Sequence, residues 1–140
     1  MIDTSTEFGA RVARRLRQEA LIWLTTVRHD RTPQPSPVWF YWDGETFLIH
    51  SQPNTPKLRN IAQNPRVSLN LNGDAIGNDI VIVTGEARVD ESAPLAHEVP
   101  GFVKKYLEDL RAVQSAEDFA RTFLDYPVAI RVTPTGWRGF

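Results

Sequence analysis

The 140-residue chain contains no cysteine. That excludes disulfides, thiolate catalysis, iron–sulfur clusters and cysteine-ligated zinc together. No apolar run approaches the roughly 18–20 residues that cross a bilayer, so no membrane partner is expected. The stretch from Met1 to Gln18 is polar and arginine-rich and lacks the apolar segment of a secretory leader, which makes a cytoplasmic location the expectation. An excess of one charge is also missing: 16 Lys and Arg stand against 17 Asp and Glu, a net charge of -1. Such balance is a poor basis for a general polyanion binder, and no nucleic-acid partner is expected. The histidines, His29, His50 and His97, share no ligand spacing, so no metal site is expected. No nucleophile elbow, Walker loop or Rossmann glycine pattern occurs, and no carboxylate pair advertises an acid–base task. The catalytic residues are therefore unknown from the sequence. Any chemistry would have to be carried by a bound cofactor.

What is present is ordinary globular composition, 41% hydrophobic and 24% charged, on a chain of single-domain length spanning 1–140. Thr4 to Ala20 reads as a helix, with Thr4 and Glu7 fitting a capping box and Phe8, Val12 and Leu16 forming a thin apolar stripe. Arg11, Arg14, Arg15 and Arg17 form either a solvated face or an anion-facing patch. Leu21 to Arg28, Gln34 to Trp42 and Thr46 to Ser51 read as an antiparallel meander, turned at His29–Thr32 and at Asp43-Gly44. Pro56 to Gln63 is a short helix with Thr55 as its N-cap. Arg66 to Asn72 alternates as a half-buried strand. Ile80 to Val89 is another strand, in which Gly85 marks a bulge or a close backbone approach. Ser92 to Leu124 reads as mostly helical, broken at Pro100-Gly101, with Val103, Tyr106, Leu107, Leu110 and Val113 on one face and a cap at Ser115. Pro127 to Thr133 is the last strand, and a tail follows. About six antiparallel strands close most economically into a small barrel, with helices packed outside.

Two local features point to a site. Pro33, Pro35 and Pro37 alternate along the second strand and strip the N–H donors from one of its edges. This makes either a protected edge or a lip where a flat ligand lies beside Val38, Trp39 and Phe40. In Ser51–Asn60 (SQPNTPKLRN), hydroxyls at Ser51 and Thr55 and the cation of Lys57 surround a helix N-terminus, a place suited to an anion. Trp137, in the polar tail, packs on a partner chain, on a ring-shaped ligand or on its own barrel.

Taken in order, Ile22–Val27 (IWLTTV), Pro35–Gly44 (PSPVWFYWDG), Lys57–Ile61 (KLRNI) with Asn64–Leu69 (NPRVSL), and Val83–Ala87 (VTGEA) resemble the flavin/deazaflavin oxidoreductase superfamily. Its members share the pyridoxamine-phosphate-oxidase-like fold. Within it the chain is most similar to a branch of probable coenzyme F420-dependent enzymes. The resemblance implies a mainly β, six-stranded antiparallel split β-barrel (the FMN-binding split barrel) with flanking helices. It also implies a homodimer holding two cofactors between subunits. The cofactor phosphate falls near Ser51, Thr55, Lys57 and Asn60, and the tricyclic ring against the backbone of Pro37, Val38, Trp39 and Phe40. Trp137 and Arg138 of the partner would close the cleft. Relatives often carry an arginine three residues before the matching lysine. Here that residue is Asn54, which shifts charge to Arg59 or another basic residue.

The function implied is hydride transfer from reduced F420 to a small electron-poor organic substrate. The F420 tail calls for a basic groove, for which Arg11, Arg14, Arg15, Arg59 and Arg66 are candidates. The alternatives are an FMN-binding member of the same superfamily and a barrel that binds a cofactor without turnover.

Overall fold

A computed structural model describes residues 2–140. Helix α1 (Glu7–Gln18) precedes strands β1 (Leu21–Val27), β2 (Pro33–Trp39), β3 (Tyr41–Trp42) and β4 (Phe47–Ser51). Helix α2 (Pro56–Gln63) leads to β5 (Arg66–Asn70) and β6 (Val81–Val89). A helical segment with α3 (Pro100–Lys104) and α4 (Ala116–Thr122) follows, and β7 (Val128–Gly139) ends the fold. No helix among the described residues is long and apolar enough to cross a membrane.

The sheet is antiparallel throughout, in the order β2-β1-β5-β6-β7-β4-β3. Its two outermost strands, β2 and β3, are separated in sequence by Phe40 alone. One stretch of chain thus begins at one edge of the sheet and ends at the other, which curls the sheet into a barrel with a split. The strand expected over Gln34–Trp42 is accordingly two strands, and the total is seven rather than six.

The prolines explain which side of β2 stays free. Pro33, Pro35 and Pro37 stand opposite Val27, Thr25 and Trp23 of β1. Proline has no N–H, so Gln34, Ser36 and Val38 carry the donors that face β1, and the donor-free side becomes the sheet edge. The Gly85 reading also holds. The pairing of β6 with β7 slips between Thr84 and Gly85, leaving one extra residue in β7. A Cβ on Gly85 would lie 2.7 Å from the Thr133 carbonyl oxygen.

Three expectations are corrected. The cap of α1 is Thr6, not Thr4: the Thr6 hydroxyl accepts the Gly9 N–H at 2.9 Å and donates to the Asp3 carbonyl at 2.8 Å. The C-terminal tail is no tail, because β7 continues along β6 to Gly139. The long face from Val103 to Val113 is not one regular helix. After α3 the chain makes a single π-helical turn over Lys105–Asp109, and Arg111 at φ 52° then ends it. The widened turn aims both Lys105 and Tyr106 at Phe40. Pro100 opens α3 as expected of proline at a first helical position, and Ser115 caps α4 by accepting the Asp118 N–H.

Strand β4 divides two cores. Phe47 and Ile49 face the barrel interior with Leu16, Ile22, Leu69 and Val132. Leu48 faces the helical segment with Phe102, Tyr106, Phe119 and Ala129. All five residues of β4 are buried, so the end of this strand is a rigid platform.

The α1 arginines are partly consumed in the fold. Arg11 pairs with Asp79 at 3.1 Å. The buried Arg15 pairs with Glu19 at 2.7 Å and donates to the carbonyls of Asn72 and Asp79, pinning the 71–80 loop. Arg14 and Arg17 stay exposed.

Candidate functional site

The platform formed by β4 adjoins a cavity of about 460 Å³. One wall is the end of β2, Pro37 to Trp39, with Leu21 of β1 beside it. Phe123 and Tyr126, just beyond α4, complete the lining, with the Phe123 ring meeting the Trp39 indole at a centroid distance of 6.0 Å. His50 and Gln52 come from the end of β4, and Lys57 enters from the first turn of α2. Its volume falls in the range of small-molecule sites, about 300–1,000 Å³.

Local structure fixes these groups. The Trp39 indole stacks on the Tyr106 ring with centroids 4.2 Å apart and planes 13° apart, which anchors the lip against the helical core. The Ser51 hydroxyl donates to the Gln52 carbonyl at 2.8 Å and lies 3.0 Å from the Thr55 hydroxyl. These two hydroxyls brace the corner between β4 and α2. Lys57 follows Pro56 at the start of the helix, where backbone N–H groups lack intrahelical partners.

The lysine is half-buried, and burial is what pushes its ammonium below the ordinary lysine range. No salt bridge among the described residues involves it. An anion placed there gains an uncompensated cation in a partly desolvated corner. At the cavity floor His50 is 6% exposed, and neither ring nitrogen has a hydrogen-bond partner. Burial, reinforced by the nearby Arg131 charge, holds this imidazole below its ordinary pKa despite a favourable contact with the Tyr126 backbone. The floor is therefore neutral near pH 7.

Of the residues singled out from sequence, Pro37, Val38, Trp39 and Lys57 come together on this cavity. Ser51 and Thr55 stand behind it as the brace just described. Phe40 does not line it. Its side chain is fully buried, its N–H goes to the Tyr106 hydroxyl at 2.9 Å, and its carbonyl accepts from Lys105 Nζ at 3.0 Å. Asn60 points into the protein: its amide donates to Thr26 Oγ1 at 2.9 Å and to Gln34 Oε1 at 2.8 Å, tying α2 to β1 and β2. Trp137 and Arg138 lie within β7, outside this cavity. The Trp137 ring meets Trp42 edge-on at 5.4 Å and Phe47 at 6.0 Å, against its own barrel.

Sequence reasoning missed His50, Gln52, Phe123 and Tyr126. His50 carried one legible signal, an ionisable residue directly after the apolar run Phe47–Ile49. Phe123 and Tyr126 carried none, because their position depends on how the helical segment folds back over β4.

An apolar slot, a single unpaired cation and a neutral polar floor suit a planar ring carrying an anionic arm. The donor set thus fits a flavin-type coenzyme.

Comparisons with known proteins bear on this geometry. Residues 8–138 match the family model described as pyridoxamine 5'-phosphate oxidase. Among solved structures, an F420 reductase is 30% identical and superposes with a TM-score of 0.61, covering 88% of this chain and 92% of that one. A conserved hypothetical protein from Mycobacterium tuberculosis is 22% identical with a TM-score of 0.72, over 95% of this chain and 82% of that one. HutZ, a heme storage protein from Vibrio cholerae, is 18% identical with a TM-score of 0.61, over 91% and 92% respectively. The latter two likenesses concern the fold alone. No curated protein matches the chain.

Proposed function

The chain belongs to the pyridoxamine 5'-phosphate oxidase family of split barrels, and from that premise we propose that it is a homodimeric oxidoreductase using reduced coenzyme F420 against a small electron-poor organic substrate. The observation that carries this reading is the position of Lys57, half-buried and unpaired, on the same cavity as the proline-flanked lip Pro37–Trp39. The 30% identity to an F420 reductase, over most of both chains, supports the choice of coenzyme.

In this reading Lys57 and the first turn of α2 hold the phosphate, with Ser51 and Thr55 fixing the corner's shape. The backbone of Pro37–Trp39 backs the ring, and the Trp39–Tyr106 stack keeps that lip from yielding. The apolar walls exclude water from the reacting face. The coenzyme supplies the hydride. The partner's Arg138, exposed near the end of β7, closes the open side of the cleft, whereas Trp137 is already packed on its own barrel.

A second reading, FMN in place of F420, is favoured by the arginines. A long acidic tail needs an extended basic groove, yet Arg11 and Arg15 are already paired with Asp79 and Glu19. Arg59 donates to the Asn54 carbonyl at 2.8 Å but keeps its exposed position. Arg14, Arg59 and Arg66 remain as the exposed cations for a tail. FMN ends at a compact phosphate and needs none of them.

Parallel titrations with F420 and with FMN, followed by reaction of the bound, pre-reduced coenzyme with activated alkenes, imines and quinones, test the reading. Tight F420 binding with acceptor reduction is expected. FMN binding alone selects the second reading. Binding without transfer to any acceptor contradicts an enzymatic role and leaves a cofactor-binding protein.

A further inference from the structure

Among the residues lining the cavity, His50 stands out because the fold leaves one of its ring nitrogens unserved. The residue is only 6% exposed; the Tyr126 backbone faces one ring nitrogen without closing a full hydrogen bond, and among the described residues the other nitrogen has no partner at all. Its ring neighbours are aromatic: Phe102 and Phe123, each with its centroid 6.1 Å away. A buried polar atom left unpaired costs free energy, and such atoms are rare in folded proteins. Burial keeps the ring neutral, so it carries one N–H and one lone pair. The Tyr126 backbone favours a proton on the ring, whereas no described residue donates to the remaining nitrogen. The cavity's own polar side chains, Gln52, Lys57 and Thr122, leave it unserved.

We propose that His50 is a specificity-determining residue: its unprotonated ring nitrogen accepts a hydrogen bond from an N–H or O–H of the coenzyme bound in this cavity. The inference rests on the cofactor reading above and adds the group that reads the ligand at the floor. Two donors shared by FMN and F420 in their oxidised forms have the required chemistry, the ring imide N–H and a hydroxyl of the sugar-alcohol chain. A site built around a buried acceptor rejects a ligand that brings no donor, because the acceptor then loses water without gaining a partner. His50 thus complements Lys57. The lysine recognises charge and the histidine recognises a neutral donor.

The test combines binding with a spectroscopic signature. Wild type, His50→Leu and His50→Asn are titrated with FMN and with F420, and the ring nitrogens of 15N-histidine-labelled wild type are followed by NMR. The expected result is affinity roughly tenfold or more weaker in His50→Leu, largely recovered in His50→Asn, which keeps an acceptor oxygen. In wild type the unprotonated nitrogen signal of His50 moves upfield at saturation. Should His50→Leu fail to fold, the wild-type signal decides alone. N3-methylated FMN separates the two donors. If wild type loses affinity for it as His50→Leu does for FMN, the imide is read, whereas undiminished binding assigns the hydroxyl. Saturable binding with an unmoved His50 signal, or with His50→Leu equal to wild type, overturns the inference while leaving the cofactor reading intact. Failure of wild type to bind either coenzyme overturns both.

Discussion

The Tyr106 hydroxyl accepts the N–H of Phe40 at 2.9 Å and donates to the Ala20 carbonyl at 2.7 Å. Phe40 is the residue at which β2 becomes β3, and so the point where the chain crosses the split of the barrel. A residue between two edge strands has no ladder partner of its own. From the π-helical turn, Tyr106 supplies the missing acceptor and Lys105 the missing donor. Burial raises the Tyr106 phenol far above its ordinary pKa, so the hydroxyl stays protonated.

Tyr106→Phe removes the hydroxyl but keeps the ring that stacks on Trp39. It leaves the Phe40 N–H buried and unpaired, at a cost of about 1–3 kcal/mol. Denaturant unfolding should show that loss. Unchanged stability would mean that the bond at the split contributes nothing net.

Lys105 makes stability depend on pH. The side chain is 4% exposed, sits 3.4 Å above the Phe40 ring and has its pKa lowered to about 7 by burial, against a smaller opposing influence of Glu19. Between pH 7 and the unfolded value near 10.5, the unfolded chain binds more protons than the folded one. Stability contributed by this site therefore rises with pH across that window, and the penalty is complete below it. Unfolding free energies measured from pH 7 to about pH 10 should climb in wild type and lose that slope in Lys105→Met. A parallel slope in both proteins contradicts the assignment.

Much of this fold was legible because its signals are local. Alternating prolines, the proline-led helix at Pro56 and the lone Gly85 each act on their own stretch of backbone, and each is found as read. The break at Phe40 was not legible. Trp39, Phe40 and Tyr41 form an unbroken aromatic run, and where it divides, the Phe40 N–H is donated to Tyr106, 66 residues away. The π turn escaped for a related reason, since a helical face with one residue too many looks like an ordinary stripe until Phe40 claims two consecutive side chains. At the site, the residues of one lip and one helix start were legible. The wall from Phe123 and Tyr126 depends on tertiary folding that no spacing in the sequence records.

Asn60 separates an architectural role from a binding one. Its amide bridges Thr26 and Gln34 inside the protein. Asn60→Ala should cost about 1–3 kcal/mol of stability, because Thr26 and Gln34 lose their donor. Coenzyme affinity measured well below the melting temperature should change less than twofold, roughly the noise of such a comparison. A large loss of affinity without loss of stability would return Asn60 to the phosphate site.

Lys57 bears the central claim, that one corner of this barrel grips the anionic arm of a coenzyme whose ring lies along Pro37–Trp39. The direct measurement is an equilibrium titration of wild type and Lys57→Ala with F420 and with FMN, by coenzyme fluorescence. Saturable binding to wild type is expected for at least one of them, with affinity lower by about 1–3 kcal/mol, roughly five- to 150-fold, in the variant. Equal affinity of the two proteins, or no binding of either coenzyme, contradicts the account.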